Sequence, residues 1–216
     1  MDRILRIWQF EAQESGSAPV IPDGCRDLII HYRPGHKPLC FVSSLADRTF
    51  LVTMQKGDSF TGYRLKPGTG IAEDRLLAVI RGRGAVQDEQ GFLHATIDDF
   101  TGLSASVAEA LDCLASGVCS IAAAAKQLGV SQRTLQRKIM QQTGHSPLYW
   151  LRLARVRQAG RSVVTNTDSL TGIALHHGYA DQAHMSRELK RWLGVTAGAL
   201  RQGADEGRQL LESGYG

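Results

Sequence analysis

A pattern that occurs twice in the second half of the chain limits its fold more than any other feature. It is a short apolar stripe, then a glycine, a capping residue and a second apolar stripe, and it runs from Ser120 to Ile139 and again from Leu170 to Lys190. In the first copy Ile121, Ala124 and Ala125 share one helical face, closed by Leu128, and the small alanines let a second helix cross closely. Gly129 falls where the chain must turn sharply, and Ser131 is placed to cap the next helix through its hydroxyl. Leu135 and Ile139 then recur at i and i+4 and point inward. The second copy repeats this with Ile173 and Ala174, Gly178 at the turn, Asp181 as cap, and Met185 and Leu189 as the inward pair. Two helix-turn-helix units in one chain are the prediction.

The inward pairs fix what points outward. On the first unit these are Gln132, Arg133, Gln136 and Arg137, and on the second Gln182, Ala183, His184 and Arg187. Arginine matches guanine bidentately and glutamine matches adenine, so these eight positions are the candidate base readers. Ala183 has no side-chain donor or acceptor, and the second face is expected to read by methyl contact or DNA shape more than the first. Between the units, Pro147 suits a first helical turn, and Leu148, Leu151, Val156 and Ala159 lie near one face that continues toward Val163. A connecting helix of roughly 16 residues spans about 24 Å, and with its flanks separates two recognition helices by about 34 Å, one turn of B-DNA.

Charge is partitioned in the same way. Residues 104 to 201 hold 12 Lys and Arg against 5 Asp and Glu, residues 1 to 103 hold 12 against 13, and the tail from 202 holds 1 against 3. The basic surplus is therefore local, as binding to a polyanion requires. Arg152, Arg155, Arg157 and Arg161 cluster on the connecting helix, and Lys190 and Arg191 follow the second recognition helix. These six, with Ser131 and Lys138, are expected mainly to meet phosphates, which would supply affinity rather than sequence choice.

Residues 104 to 201 resemble the DNA-binding domain of the AraC/XylS family of bacterial transcription regulators. The likeness rests on Gly129-Val-Ser131, Leu135-Gln-Arg137, Gly144-His-Ser-Pro147, Trp150-Leu-Arg152, Ile173-Ala174, Gly178-Tyr179, Asp181-Gln182, Ser186-Arg187, Lys190-Arg191 and Gly194-Val-Thr196, in that order. Met185 and Leu189 stand where that family usually has Phe, and Ala197 and Leu200 replace a common Pro and aromatic. The resemblance implies a seven-helix domain, transcriptional control and, as partners, double-stranded DNA and RNA polymerase. Pro22-Asp-Gly-Cys-Arg-Asp-Leu-Ile29 and Gly62-Tyr-Arg-Leu-Lys-Pro-Gly68 resemble the short amino-terminal domain of one AraC-like subgroup, which brings no ligand with it.

The first half reads as β-rich. Ile4 to Phe10, Asp27 to Tyr32, Leu39 to Val42, Phe50 to Met54 and Phe60 to Leu65 are predicted strands, separated by turn signals such as Pro22-Asp-Gly24, Pro34-Gly35 and Lys56-Gly-Asp58. A small barrel or sandwich is expected, followed by a helix from Ile71 to Ile80 broken by Gly82 and Gly84, and an irregular connector over 85 to 103. Ser104 or Ser106 caps the next helix, with Val107, Leu111, Leu114 and Ala115 as its stripe. The fold class is thus α+β, with residues 1 to 103 as a sensor or dimerisation domain, 104 to 201 as the helical domain and 202 to 216 as a flexible polar tail. No run approaches the ~18 apolar residues of a membrane span, and the first 14 residues lack a signal-peptide profile, so a soluble, cytoplasmic protein is expected.

Catalytic, metal and cofactor sites are not expected. Cys25, Cys40, Cys113 and Cys119 form no C-x-x-C pair and read first as reduced packing residues. A sharper reading places Cys25, Cys40 and His31, with His36 nearby, around a pocket sensing a metal or electrophile. His176-His177 cannot share one helical face, and Asp98-Asp99 lacks a base or nucleophile partner. The favoured function is a DNA-binding regulator modulated by a small-molecule effector or by dimerisation through the first half. Two other readings stay open: a metal- or ligand-binding β-barrel enzyme fused to a DNA anchor, and a ligand-free DNA-binding scaffold.

Overall fold

The structure is a computed structural model that describes residues 3–83 and 90–216; Gly84 and the first part of the expected connector, 85–89, lie outside the described residues. Its first half contains β1 (Ile4–Glu11), β2 (Gly16–Val20), β3 (Asp27–Tyr32), β4 (Leu39–Val42), β5 (Phe50–Met54) and β6 (Ser59–Leu65). Four of these form an antiparallel sheet in the order β1-β6-β3-β4, while β2 and β5 pair as a separate ribbon. The period-two alternation puts Leu28 and Ile30 of β3, Cys40 and Val42 of β4, and Tyr63 and Leu65 of β6 into one buried cluster. Two helices complete that cluster: α1 (Glu73–Gly82) through Leu76, Leu77 and Ile80, and α2 (Gln90–Phe100) through Leu93 and Ile97.

This corrects two expectations. The first half is an open sheet backed by helices, and no barrel or sandwich is formed among the described residues. Residues 90–102, expected as irregular connector, are α2 and a short strand β8 (Thr101–Gly102) that pairs with β7 (Gly70–Ile71). Leu93, Thr96, Ile97 and Phe100 do recur at helical spacing, but Gly91 and Asp98-Asp99 among them dilute the signal. Strand β2 went unread because Gly-Ser-Ala-Pro-Val has a turn composition; its Pro19 is tolerated because β2 has a partner on one side only.

The helical half has the predicted seven helices: α3 (Ala105–Ala115), α4 (Ile121–Gln127), α5 (Gln132–Thr143), α6 (Pro147–Thr165), α7 (Leu170–His176), α8 (Gln182–Leu193) and α9 (Ala197–Arg201). Helix α6 is the axle. It runs 19 residues, about 28 Å, and buries Trp150, Leu151, Leu153, Ala154, Val156, Ala159 and Val163. The other six helices of this half all pack against it or against its immediate neighbours, so burial runs around most of its circumference rather than along one stripe. Leu148, assigned to the inward stripe, is instead 43% exposed. Ser104 occupies the N-cap position of α3, but its hydroxyl donates to Gln142 Oε1 at 2.7 Å instead of capping.

The last 15 residues do not form the flexible tail expected of them. Helix α10 (Asp205–Leu210) and the segment after it pack between the two halves, burying Leu210 and Tyr215. The Gln209 amide donates to Pro19 O and accepts from Ile21 N, Tyr215 N donates to Asp23 O at 2.8 Å, and the Tyr215 hydroxyl donates to Leu111 O at 2.8 Å. Asp205, Glu206, Arg208 and Glu212 give the segment its polar reading and hide two apolar anchors. Ile21 in turn joins the helical core.

Candidate nucleic-acid interface

The two repeated units fold alike down to single bonds. In the first, Ser131 Oγ accepts from Thr134 N at 3.1 Å, and in the second Asp181 Oδ1 accepts from His184 N at 2.6 Å. The turns match: Gly129 at φ +65° and Gly178 at φ +70° let Val130 N reach Ala125 O and Tyr179 N reach Ala174 O. Leu135 and Ile139, like Met185 and Leu189, are fully buried, so Met185 fills a position where flexibility matters more than shape. Ser120 and Ser169, not assigned from sequence, cap α4 and α7 by accepting from Ala123 N and Gly172 N. A Ser directly before the first residue of each helix, Ile121 and Leu170, was the available signal.

Gln132, Arg133, Gln136, Arg137 and Lys138 are all exposed on α5, and none of them joins an ion pair among the described residues. Helix α8 exposes Gln182, Ala183 and Arg187, but His184 is half-buried with its ring edge-on to Tyr179 at 5.2 Å. Gln182 is also engaged, its Oε1 accepting from Thr171 Oγ1 at 3.1 Å across the turn to α7. Lys190 Nζ donates to Gly194 O at 2.6 Å, and Arg191 stands 4.0 Å from Glu188. The α5 face is the freer of the two.

The four arginines of α6 divide into two pairs. Arg152 is exposed, and Arg155, half-buried, places its guanidinium 5.8 Å from the centre of the Tyr179 ring and 3.5 Å from Cys119 O. Both line a cavity of about 380 Å³ together with Leu148 and His184. Arg157 and Arg161, grouped with them in the sequence reading, point elsewhere: at 3.6 residues per turn they lie about 140° and 180° around the helix from Arg152. Arg157 is wholly buried and donates to Pro22 O at 3.1 Å and to Glu212 O at 3.5 Å. Burial lowers its pKa to about 10, against the attraction of Asp23. Arg161 donates to Leu210 O and Gly216 O. These two hold the carboxy-terminal segment and leave no group for a phosphate.

The expected sensor trio is not assembled. Cys40 lies inside the sheet cluster, paired across the ladder with Ile30 and close to Arg81. Cys25 sits on the loop before β3 among Asp23, Asp27, Arg64 and Arg157, where burial pushes its thiol well above the usual range and leaves it a poor nucleophile. His31 stacks on Phe60 at 4.3 Å and faces Asp58, whose carboxylate is held by Arg33 at 2.8 Å and lies below its ordinary pKa for that reason. Among the described residues no three His, Cys, Asp or Glu side chains form a metal-binding group. Nor is any described helix long and apolar enough to cross a membrane.

Two capped helix-turn-helix units hung on one central helix define a double-headed helix-turn-helix domain. Residues 124–203 match the family model of a helix-turn-helix domain. The transcriptional activator RhaS of Escherichia coli O157:H7 is 36% identical over 83 residues, which is 38% of this chain and 30% of that protein. Among solved structures, the DNA-binding domain of AdpA in complex with a target DNA is 30% identical, covering 50% of this chain and 95% of that one at a TM-score of 0.39. ToxT from Vibrio cholerae O395 is 10% identical, covering 96% and 98% at a TM-score of 0.49. The carboxy-terminal half of the chain is a DNA-binding domain of the AraC/XylS family. The chain matches about a third of the length of these curated relatives.

Proposed function

We propose that this protein is a sequence-specific transcription regulator that grips double-stranded DNA with two recognition helices in successive major grooves. The observation that carries this is the duplicated unit, capped and turned identically, with free donors on the α5 face. Gln132, Arg133, Gln136 and Arg137 read bases from α5, and Gln182, Ala183, His184 and Arg187 from α8, with the α5 set the more discriminating. Ser131, Lys138, Arg152, Arg155, Lys190 and Arg191 meet phosphates. Following the activator it resembles, the chain raises transcription through RNA polymerase. A small-molecule effector or a second copy of the chain modulates it through the amino-terminal half. The cleft of about 250 Å³ between the Lys66–Gly70 turn and Gln142–Gly144 is where a ligand would touch both halves.

Selection of bound duplexes from a random pool tests the reading. The expected product is an asymmetric site with two blocks about 10 base pairs apart. On that site Arg137→Ala and Arg187→Ala each cost about 1 to 3 kcal/mol and relax base preference in one block, the first more than the second. Equal losses on selected and random DNA would reassign them to phosphates, and no enrichment at all would end the proposal.

A further inference from the structure

The two units share α6, and the carboxy-terminal end of each recognition helix is tied to it, α5 by Trp150 Nε1 donating to Thr143 Oγ1 at 3.2 Å and α8 by the buried Leu193 against Gly160. The amino-terminal half connects those ends a second time. On the α5 side, Gln142, one residue from the end of the helix, donates through Nε2 to Gly68 O at 2.8 Å while its Oε1 accepts from Ser104 Oγ. Both ends of that amide are fixed. On the α8 side, Thr49 donates twice to one carbonyl, Trp192 O, through its backbone N at 2.9 Å and its hydroxyl at 3.1 Å. That carbonyl is among the last of α8, with no partner within its own helix. Between these points the Tyr149 hydroxyl, in the first turn of α6, donates to Ala46 O at 2.8 Å, and its ring lies 5.6 Å from that of Trp192. Residues 46–49 therefore bridge the start of α6 to the end of α8, while the turn at 66–70 holds the end of α5.

We propose that the amino-terminal half acts as a splint setting the spacing and phase of the two DNA-reading units, with Thr49, Gln142 and Tyr149 as its positioning residues. None of the three lies among the base- or phosphate-contacting positions proposed above. The inference rests on the DNA reading, and it is specific about what is lost when the splint is cut: not the grip of either head, but the preference for one separation between them. Loops that only packed against the helices would leave that preference with α6.

The test uses the full chain, the selected two-block duplex, versions with the spacer lengthened or shortened by one base pair, and a duplex holding the α5 block alone. One base pair moves the second block by about 3.4 Å and about 35° around the axis. Wild type is expected to lose about tenfold in affinity for either altered spacer, and the triple variant Thr49→Val, Gln142→Ala, Tyr149→Phe about twofold, with single-block binding equal in both. Thr49→Val with Tyr149→Phe, which keeps both side-chain volumes, gives an intermediate loss of discrimination and guards against misfolding. A triple variant that discriminates between spacers as wild type does overturns the splint, and so does one that loses single-block affinity in equal measure. Failure of wild type to bind any selected duplex overturns the DNA reading beneath it.

Discussion

At Gly24 the backbone stands at φ +73°, and a Cβ placed there would lie 2.7 Å from the Tyr215 Cβ and 3.1 Å from atoms of Leu153 and Trp150. All three neighbours are buried, so none can retreat cheaply. Gly24→Ala is expected to cost about 2 to 4 kcal/mol, from the strained backbone and the overpacked seam together, read as a lower urea midpoint. An unchanged midpoint would mean that the Tyr215 segment moves aside. The sequence shows this residue as a turn glycine in Pro22-Asp-Gly24, which is correct but local. That the turn wedges against the helical core depends on residues more than a hundred positions away, and no window of sequence contains both. The same limit explains Arg157. Its type and its basic neighbours read as a phosphate contact, whereas its burial follows from Pro22 and Glu212, which only the folded chain brings to it. The caps at Ser131 and Asp181 and the turns at Gly129 and Gly178 were legible because each is decided within a few residues.

Among the elements, legibility follows the regularity of the apolar pattern. Strands β3, β4 and β5 have the expected ends because one face is consistently apolar, and the helices of both units because their inward pairs recur at i and i+4. Helix α10 and its extension lack such periodicity and work through two anchors. Leu210 lies over Gly160, where an added Cβ would meet its Cδ1 at 2.8 Å, and Tyr215 packs edge-on to Trp150 at 4.9 Å. Deleting residues 205–216 uncovers both positions and strips Arg161 of its carbonyl partners. The burial of Leu210 and Tyr215 alone contributes about 3 to 6 kcal/mol, so the shortened chain should unfold at a markedly lower denaturant concentration. If its transition coincides with that of the full chain, the segment is not docked in solution.

At the scale of the whole molecule, the charge partition bears on how tightly DNA is held rather than where. The helical half carries a surplus of seven positive charges by sequence. Arg157 and Arg161 donate to backbone carbonyls inside the seam, so the surplus available to a polyanion is nearer five. Arg152 and Arg155 belong to that remainder, and Arg157 does not. If each of the first two meets one phosphate, the double variant Arg152→Ala, Arg155→Ala flattens the plot of log affinity against log salt by about 1.8 units on selected and random duplexes alike. Arg157→Met lowers the melting temperature and leaves that slope where it was. A double variant with the wild-type slope would take both arginines off the DNA, and a change of slope for Arg157→Met would mean that the seam opens when DNA binds.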